Sequence, residues 1–268
     1  MPRPSTPEDA MRGFLSGEDP GLARMRRVMR HLPHGPHCKL CAATFEGPAG
    51  AVLRHVGFAR FAGNPAICGS CIKGLNKLGV FGAEIPVSLL FADIRGSTGI
   101  GERSTPTEFR AFLDRFYQLS SRAVLDNDGM VDKFVGDEVI GLFFPGISGA
   151  EHPAAAVRAA RALLDAVGRA DASESGPIPV GAAVHTGDAF VGSTGAGGMI
   201  SDFTALGDVV NTTARLASKA AAGELLVSIS AADAAGLDLP ALEHRTLKVR
   251  GRSDAVEVVA FRTSTTAR

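Results

Sequence analysis

Residues 132–144 read Asp-Lys-Phe-Val-Gly-Asp-Glu-Val-Ile-Gly-Leu-Phe-Phe, two apolar runs broken by Gly136-Asp137-Glu138. Short runs rich in Phe, Val and Ile on either side of a Gly-Asp pair predict two strands joined by a tight turn, over about 129–144. Lys133 stands four residues before Asp137. The charges of this stretch therefore read as solvated turn residues, as a lysine–carboxylate pair, or as pieces of a site.

Outward from the hairpin the pattern alternates between strands and helices. Upstream, Pro86–Ile94 ("PVSLLFADI") is an apolar run of strand length that ends in Asp93, followed by the small-residue loop "RGSTGIGERS". Thr105-Pro106-Thr107-Glu108 then supplies an N-cap, a first-position proline and a capping-box glutamate, which predicts a helix through about Leu125. Downstream, an Ala-rich helix is expected over about 152–169. After it come "PVGAAVHTG", "DAFVGSTG" and "FTALGD", a helix over about 209–221, and strand-like "ELLVS", "HRTLKVRG" and "AVEVVAF". This order predicts an α+β domain over 81–268, with a central, mostly antiparallel sheet flanked by helices.

Residues 1–36 are polar and punctuated by Pro and Gly, except for a basic helical candidate, "LARMRRVMRHL". Leu22, Met25, Val28, Met29 and Leu32 fall on one stripe of it, as expected of a docking or dimer-contact helix. Residues 37–80 form a cysteine module and connector. The four cysteines of the chain all lie there, as Cys38-Lys39-Leu40-Cys41 and Cys68-Gly69-Ser70-Cys71. Each C-x-x-C can turn two thiolates toward one ion, and two of them complete a tetrahedral set. Four thiolates suit zinc or an iron–sulfur cluster. His31, His34, His37 and His55 are nearby alternates, but a lone histidine beside such a knuckle is more often a neutral neighbour.

Bulk properties narrow the function. The chain has 268 residues, 45% of them apolar, enough for one large domain or a catalytic domain with a small one. Twenty-eight basic residues balance twenty-eight acidic ones, so no overall field would hold it on nucleic acid or an anionic membrane. Nucleic acid is an unexpected partner, as the basic run around Arg24–Arg30 lacks interleaved aromatics. Apolar runs fall short of a membrane span and the N-terminus lacks a signal-peptide core, so a cytoplasmic location is expected.

Several motifs carry chemistry. A carboxylate at Asp93, on the end of a strand, can hold a cation, and the backbone N–H groups of Ile94 to Thr98 (Gly96 and Ser97 included) can cradle phosphate oxygens. Asp137 at a neighbouring hairpin tip would repel Asp93 unless a cation sits between them. In "FTALGDVVNTTARLAS", Asn211 and Arg215 are four apart and share a helix face. In "LKVRGRSDAVEVVAF", Arg250 precedes a glycine between strands.

Together with "HTGDAFVGSTG", these motifs in this order resemble the class III nucleotide cyclase catalytic domain, over roughly residues 84–262. The resemblance implies a ferredoxin-like-derived fold and conversion of ATP to 3′,5′-cyclic AMP and pyrophosphate. It implies that Asp93 and Asp137 bind two Mg²⁺ or Mn²⁺ ions, with the Ile94 carbonyl as a further ligand. Lys133 and Thr204 match the pair that reads the purine, in the combination that goes with ATP, whereas guanylate cyclases typically carry Glu with Cys there. Asn211 matches the residue orienting the ribose, and Arg215 the one stabilising charge on the α-phosphate. Arg250 stands where the family has a triphosphate-binding lysine, a change of geometry at constant charge. The family pattern also implies a head-to-tail homodimer with two equivalent interface sites, because this chain carries both halves of the residue set. A guanylate cyclase and a non-catalytic nucleotide-binding sensor are the competing readings.

Overall fold

The computed structural model describes residues 6–32, 35–61, 64–77, 82–169, 178–196, 200–248 and 255–262. In chain order the helices are α1 (Pro7–Leu15), α2 (Pro20–Met29), α3 (Gly47–Leu53), α4 (Gly69–Lys77), α5 (Ser97–Arg103), α6 (Pro106–Asp126), α7 (Pro145–Ser148), α8 (His152–Arg169), α9 (Asp208–Ala217) and α10 (Ile229–Ala234). The strands are β1 (Arg60–Phe61), β2 (Asn64–Cys68), β3 (Gly82–Ile94), β4 (Met130–Val135), β5 (Glu138–Phe143), β6 (Val180–Ala196), β7 (Ile200–Leu206), β8 (Glu224–Ser228), β9 (Glu243–Leu247) and β10 (Val256–Arg262). The large sheet runs β4-β5-β3-β6-β8-β10-β9, with β7 paired to β6. The β6–β8 pair is parallel, while β4–β5, β3–β5, β8–β10 and β9–β10 are antiparallel. The chain divides into two compact units, one of residues 1–86, 144–150 and 189–206, the other of residues 87–143, 151–188 and 207–268.

In the second unit the apolar faces of α6, α8, α9 and α10 meet the sheet. The expected N-cap of α6 is realised: Thr105 accepts from the Glu108 N–H at 3.3 Å, and the Glu108 carboxylate accepts from the Thr105 N–H at 2.8 Å. Such a cap stabilises a helix by about 1 kcal/mol. Phe116, fully buried on α6, joins Leu163 and Leu164 of α8 and Leu90, Val184, Leu225 and Val259 of the sheet in one core. Burial of a side chain like Phe116 contributes roughly 2–3 kcal/mol. In the same unit, Ser88 Oγ bonds both His152 Nδ1 (2.9 Å) and Thr186 Oγ1 (2.6 Å), so the buried hydroxyl is satisfied.

The first unit departs from the sequence reading in two respects. An additional helix, α1, begins at a capping box between Thr6 and Asp9. On α2, Leu22 is buried but Val28 is 66% exposed, so the expected stripe is broken. Arg26 is half-buried instead, because its guanidinium has carbonyl partners described below. The start of β3 lies against the end of β6 so closely that a Cβ on Gly82 would meet the Val191 carbonyl at 2.4 Å. The stretches "PVGAAVHTG" and "DAFVGSTG", which read as two strands, form the single long strand β6.

Candidate active site and cysteine centre

The hairpin of residues 130–143 is pinned at both sides of its tip. Asp93, near the end of β3, is in register with Glu138 on β5. The Ile94 N–H donates to the Asp137 carbonyl at 3.2 Å. Gly136 takes the turn with φ of 61°, a left-handed conformation that favours glycine. From α6, the Tyr117 hydroxyl donates to the Gly136 carbonyl, and the Tyr117 ring lies 4.3 Å from that of Phe134. Asp93, Asp137 and Glu138 are thereby gathered at one end of the sheet.

The Arg95 guanidinium sits against the Asp93 carboxylate and also reaches the Asp93 carbonyl at 3.3 Å. Burial pushes the Asp93 pKa up; Arg95 opposes that, the Asp137 charge adds to it, and the result is about 6. Burial, with the charges of Asp93 and Asp137, pushes Glu138 up to about 7. Three crowded carboxylates facing one guanidinium are a donor set that fits divalent cations, which take oxygen ligands. Glu138 and Arg95 were not singled out by sequence reasoning. Their signal was the strand register, which sets Glu138 opposite Asp93.

Beyond Asp93 the chain turns through Gly96 (φ 72°) into α5. The Ile94 and Arg95 N–H groups are used internally, on the Asp137 and Pro179 carbonyls. A phosphate cradle is therefore left to the amides from Gly96 through Ser97 and Thr98, where first-turn N–H groups have no intrahelical partner.

The other expected site residues are distributed over both units. Lys133 lies on β4 opposite Ile140. α9 buries Val209, Thr212, Thr213 and Leu216, which leaves Asn211 exposed and Arg215 half-exposed one turn later. Thr204 is 6% exposed on β7, opposite Gly192, within the first unit. Arg250 lies outside the described residues. His185, read from sequence as a packed strand residue, bonds Ser228 Oγ through Nδ1 at 2.8 Å.

The cysteines converge as their spacing predicts. Cys38 and Cys41 lie on a tight turn closed by the Ala42 N–H donating to the Cys38 carbonyl at 2.8 Å, with Ala42 at φ of 62°; Cys68 ends β2, and Cys71 lies in the first turn of α4. All four are buried. Their sulfurs lie within 4.8 Å of one another, with Cys38–Cys71 at 3.9 Å and Cys41–Cys68 at 3.7 Å. The Cys68 N–H points at the Cys38 sulfur at 3.3 Å. Hydrogen bonding from Cys41 pushes the Cys38 thiol down, and bonding to Cys38 pushes Cys71 up. Four sulfurs this close suit a metal ion.

Residues 83–260 match the family described as the adenylate and guanylate cyclase catalytic domain. The chain belongs to this family. An adenylate cyclase of Anabaena cylindrica is 28% identical over 213 residues, 75% of this chain and 42% of that protein. Adenylate cyclase 1 of Rhizobium meliloti is 34% identical over 134 residues, 48% of this chain and 20% of that protein. The chain thus spans less than half the length of these relatives. Among solved structures, the adenylyl cyclase CyaB from P. aeruginosa is 28% identical, with a TM-score of 0.59 over 68% of this chain and 95% of that one. The guanylyl cyclase Cya2 shares the fold at 23% identity, with a TM-score of 0.62 over 70% of this chain and 98% of that one. The fold is therefore the α+β class expected from sequence, a central sheet flanked by helices. No described helix is long and apolar enough to cross a membrane.

Proposed function

We propose that this cyclase domain converts ATP to 3′,5′-cyclic AMP and pyrophosphate, at sites formed between two chains arranged head to tail. The observation that carries the reading is the gathering of Asp93, Asp137 and Glu138 at one end of the sheet, held by the Ile94–Asp137 backbone bond. In this reading Asp93 and Asp137, with the Ile94 carbonyl, hold two Mg²⁺ or Mn²⁺ ions. Those ions supply positive charge that makes the ribose 3′-hydroxyl a better nucleophile and eases departure of pyrophosphate. The amides of Gly96, Ser97 and Thr98 hold phosphate oxygens. Lys133 and Thr204 read the adenine, Asn211 orients the ribose, Arg215 stabilises charge on the α-phosphate and Arg250 binds the triphosphate end. The reaction needs no protein nucleophile, only positioning and charge.

The adenylate cyclases among its relatives support ATP as substrate, as do the residue types at Lys133 and Thr204. Residues 37–80 are proposed as a metal-holding structural or regulatory module beside the cyclase domain of residues 81–268. Purified chain incubated with Mn²⁺ and either ATP or GTP tests the reading. Cyclic AMP and pyrophosphate are expected from ATP, while equal or greater turnover of GTP would overturn the assignment of the base.

A further inference from the structure

The cysteine sulfurs are spaced for a single ion. Four thiolates each about 2.3 Å from one tetrahedral ion stand about 3.8 Å apart. The pairs at 3.9 and 3.7 Å match, and the 4.8 Å limit on all four leaves no room for the bridging sulfides of a cluster.

Arg26 of α2 links this centre to another part of the first unit. Its Nε donates to the Leu40 carbonyl at 2.5 Å and its Nη2 to the Lys39 carbonyl at 3.1 Å. Lys39 and Leu40 are the two residues between Cys38 and Cys41. The same Nη2 donates to the carbonyl of Gly146 in α7. The passage is lined by glycines that nothing larger could replace without movement. A Cβ on Gly146 would lie 2.2 Å from the Leu15 carbonyl oxygen at the end of α1. A Cβ on Gly17, which has φ of +78°, would lie 3.2 Å from Arg26 Nη1 and 3.4 Å from the Pro145 carbonyl oxygen. α7 follows β5 directly in the chain, and β5 begins at Glu138, next to Asp137.

We infer that Cys38, Cys41, Cys68 and Cys71 hold one zinc ion, and that Arg26 carries the state of this centre to the Phe144–Gly149 turn at the exit of β5. With zinc bound, the knuckle carbonyls of Lys39 and Leu40 keep a fixed direction, and the planar guanidinium stays forked between them and Gly146. Without zinc the four thiols lose their common anchor. The knuckle then loosens, and Arg26 no longer holds the turn. The consequence is local, because α7 is a single turn whose Ile147, Ser148 and Gly149 N–H groups bond the Phe144 and Pro145 carbonyls at 2.9–3.0 Å. The inference adds a regulatory input to the proposed cyclase, yet it holds whichever nucleotide the domain uses, since its readout is not turnover.

Metal analysis and hydrogen exchange on the full chain test it. One zinc per chain, without iron or acid-labile sulfide, is expected. Removing the zinc with a chelator should speed exchange at Ile147, Ser148 and Gly149 by at least about tenfold, leave Leu89 and Leu90 of β3 protected, and be reversed by zinc alone. Arg26→Met should give the same local opening with zinc retained, and Arg26→Lys, which keeps the charge without the fork, an intermediate one. If Arg26→Met does not fold, the wild-type comparison with and without zinc decides. Stoichiometric iron, with or without sulfide, would overturn the inference. So would a turn that stays protected when zinc is removed.

Discussion

The backbone N–H of Ile94 donates to the carbonyl of Asp137 across 3.2 Å, and this bond ties the hairpin tip to the end of the central strand. Two residues forty-three positions apart in the chain are so placed that their neighbouring carboxylates, Asp93 and Glu138, fall in register. Burial first, with this crowding added to it, raises the pKa of Asp93 and of Glu138.

Neutralising either aspartate should abolish chemistry without unfolding the domain. Asp93→Asn and Asp137→Asn are each expected to lower turnover of ATP by on the order of 10²-fold or more. Their melting temperatures should not fall, because each variant relieves carboxylate repulsion. Steady-state assays paired with thermal melts check both halves of the expectation.

Lys133 and Asp137 share one hairpin but belong to different sites in the proposed dimer. Lys133→Ala and Asp137→Ala chains, each inactive alone, should regain activity on mixing, since the mixed dimer has one intact site. Failure of this rescue, with mixed dimers shown to form, would return the two residues to a single local role.

Arg215→Ala should lower turnover by roughly 10²-fold, as expected for loss of a charge aimed at the transition state. Arg215 is on the outer face of α9, away from the buried Val209, Thr212 and Leu216, so stability should change little. The check is kcat against denaturation midpoint for the same variant.

The cyclase fold was legible because its signals are local. The capping box at Thr105–Glu108 announced α6, and the Gly136-Asp137 pair announced the hairpin, each through backbone chemistry within four residues. The convergence of the four cysteines on one another was legible by spacing alone. Arg26 was not, because a basic residue on a helix reads as solvent-facing, and what buries it are carbonyls of Lys39, Leu40 and Gly146 up to 120 positions away. Glu138 was missed for a similar reason: its neighbour Asp93 is set by strand register, which no short motif encodes.

Acid should destabilise the fold through His152. This histidine is 6% exposed, and burial pushes its pKa down from 6.5 to about 4. Above pH 6.5 both folded and unfolded states hold it neutral and its contribution is complete. As pH falls from 6.5 toward 4, the unfolded chain gains a proton that the folded chain does not, so stability is lost. The loss amounts to about 2 kcal/mol by pH 5. Urea midpoints at pH 7 and 5 should differ correspondingly less in a His152→Gln variant.

Product analysis after incubating the full chain with Mn²⁺ and ATP, alongside the Asp93→Asn variant, tests the cyclase chemistry itself. Equimolar cyclic AMP and pyrophosphate are expected from the wild type, and a loss of both on the order of 10²-fold in the variant. Absence of cyclic nucleotide from the wild type with either ATP or GTP, or equal output from the two proteins, would contradict it.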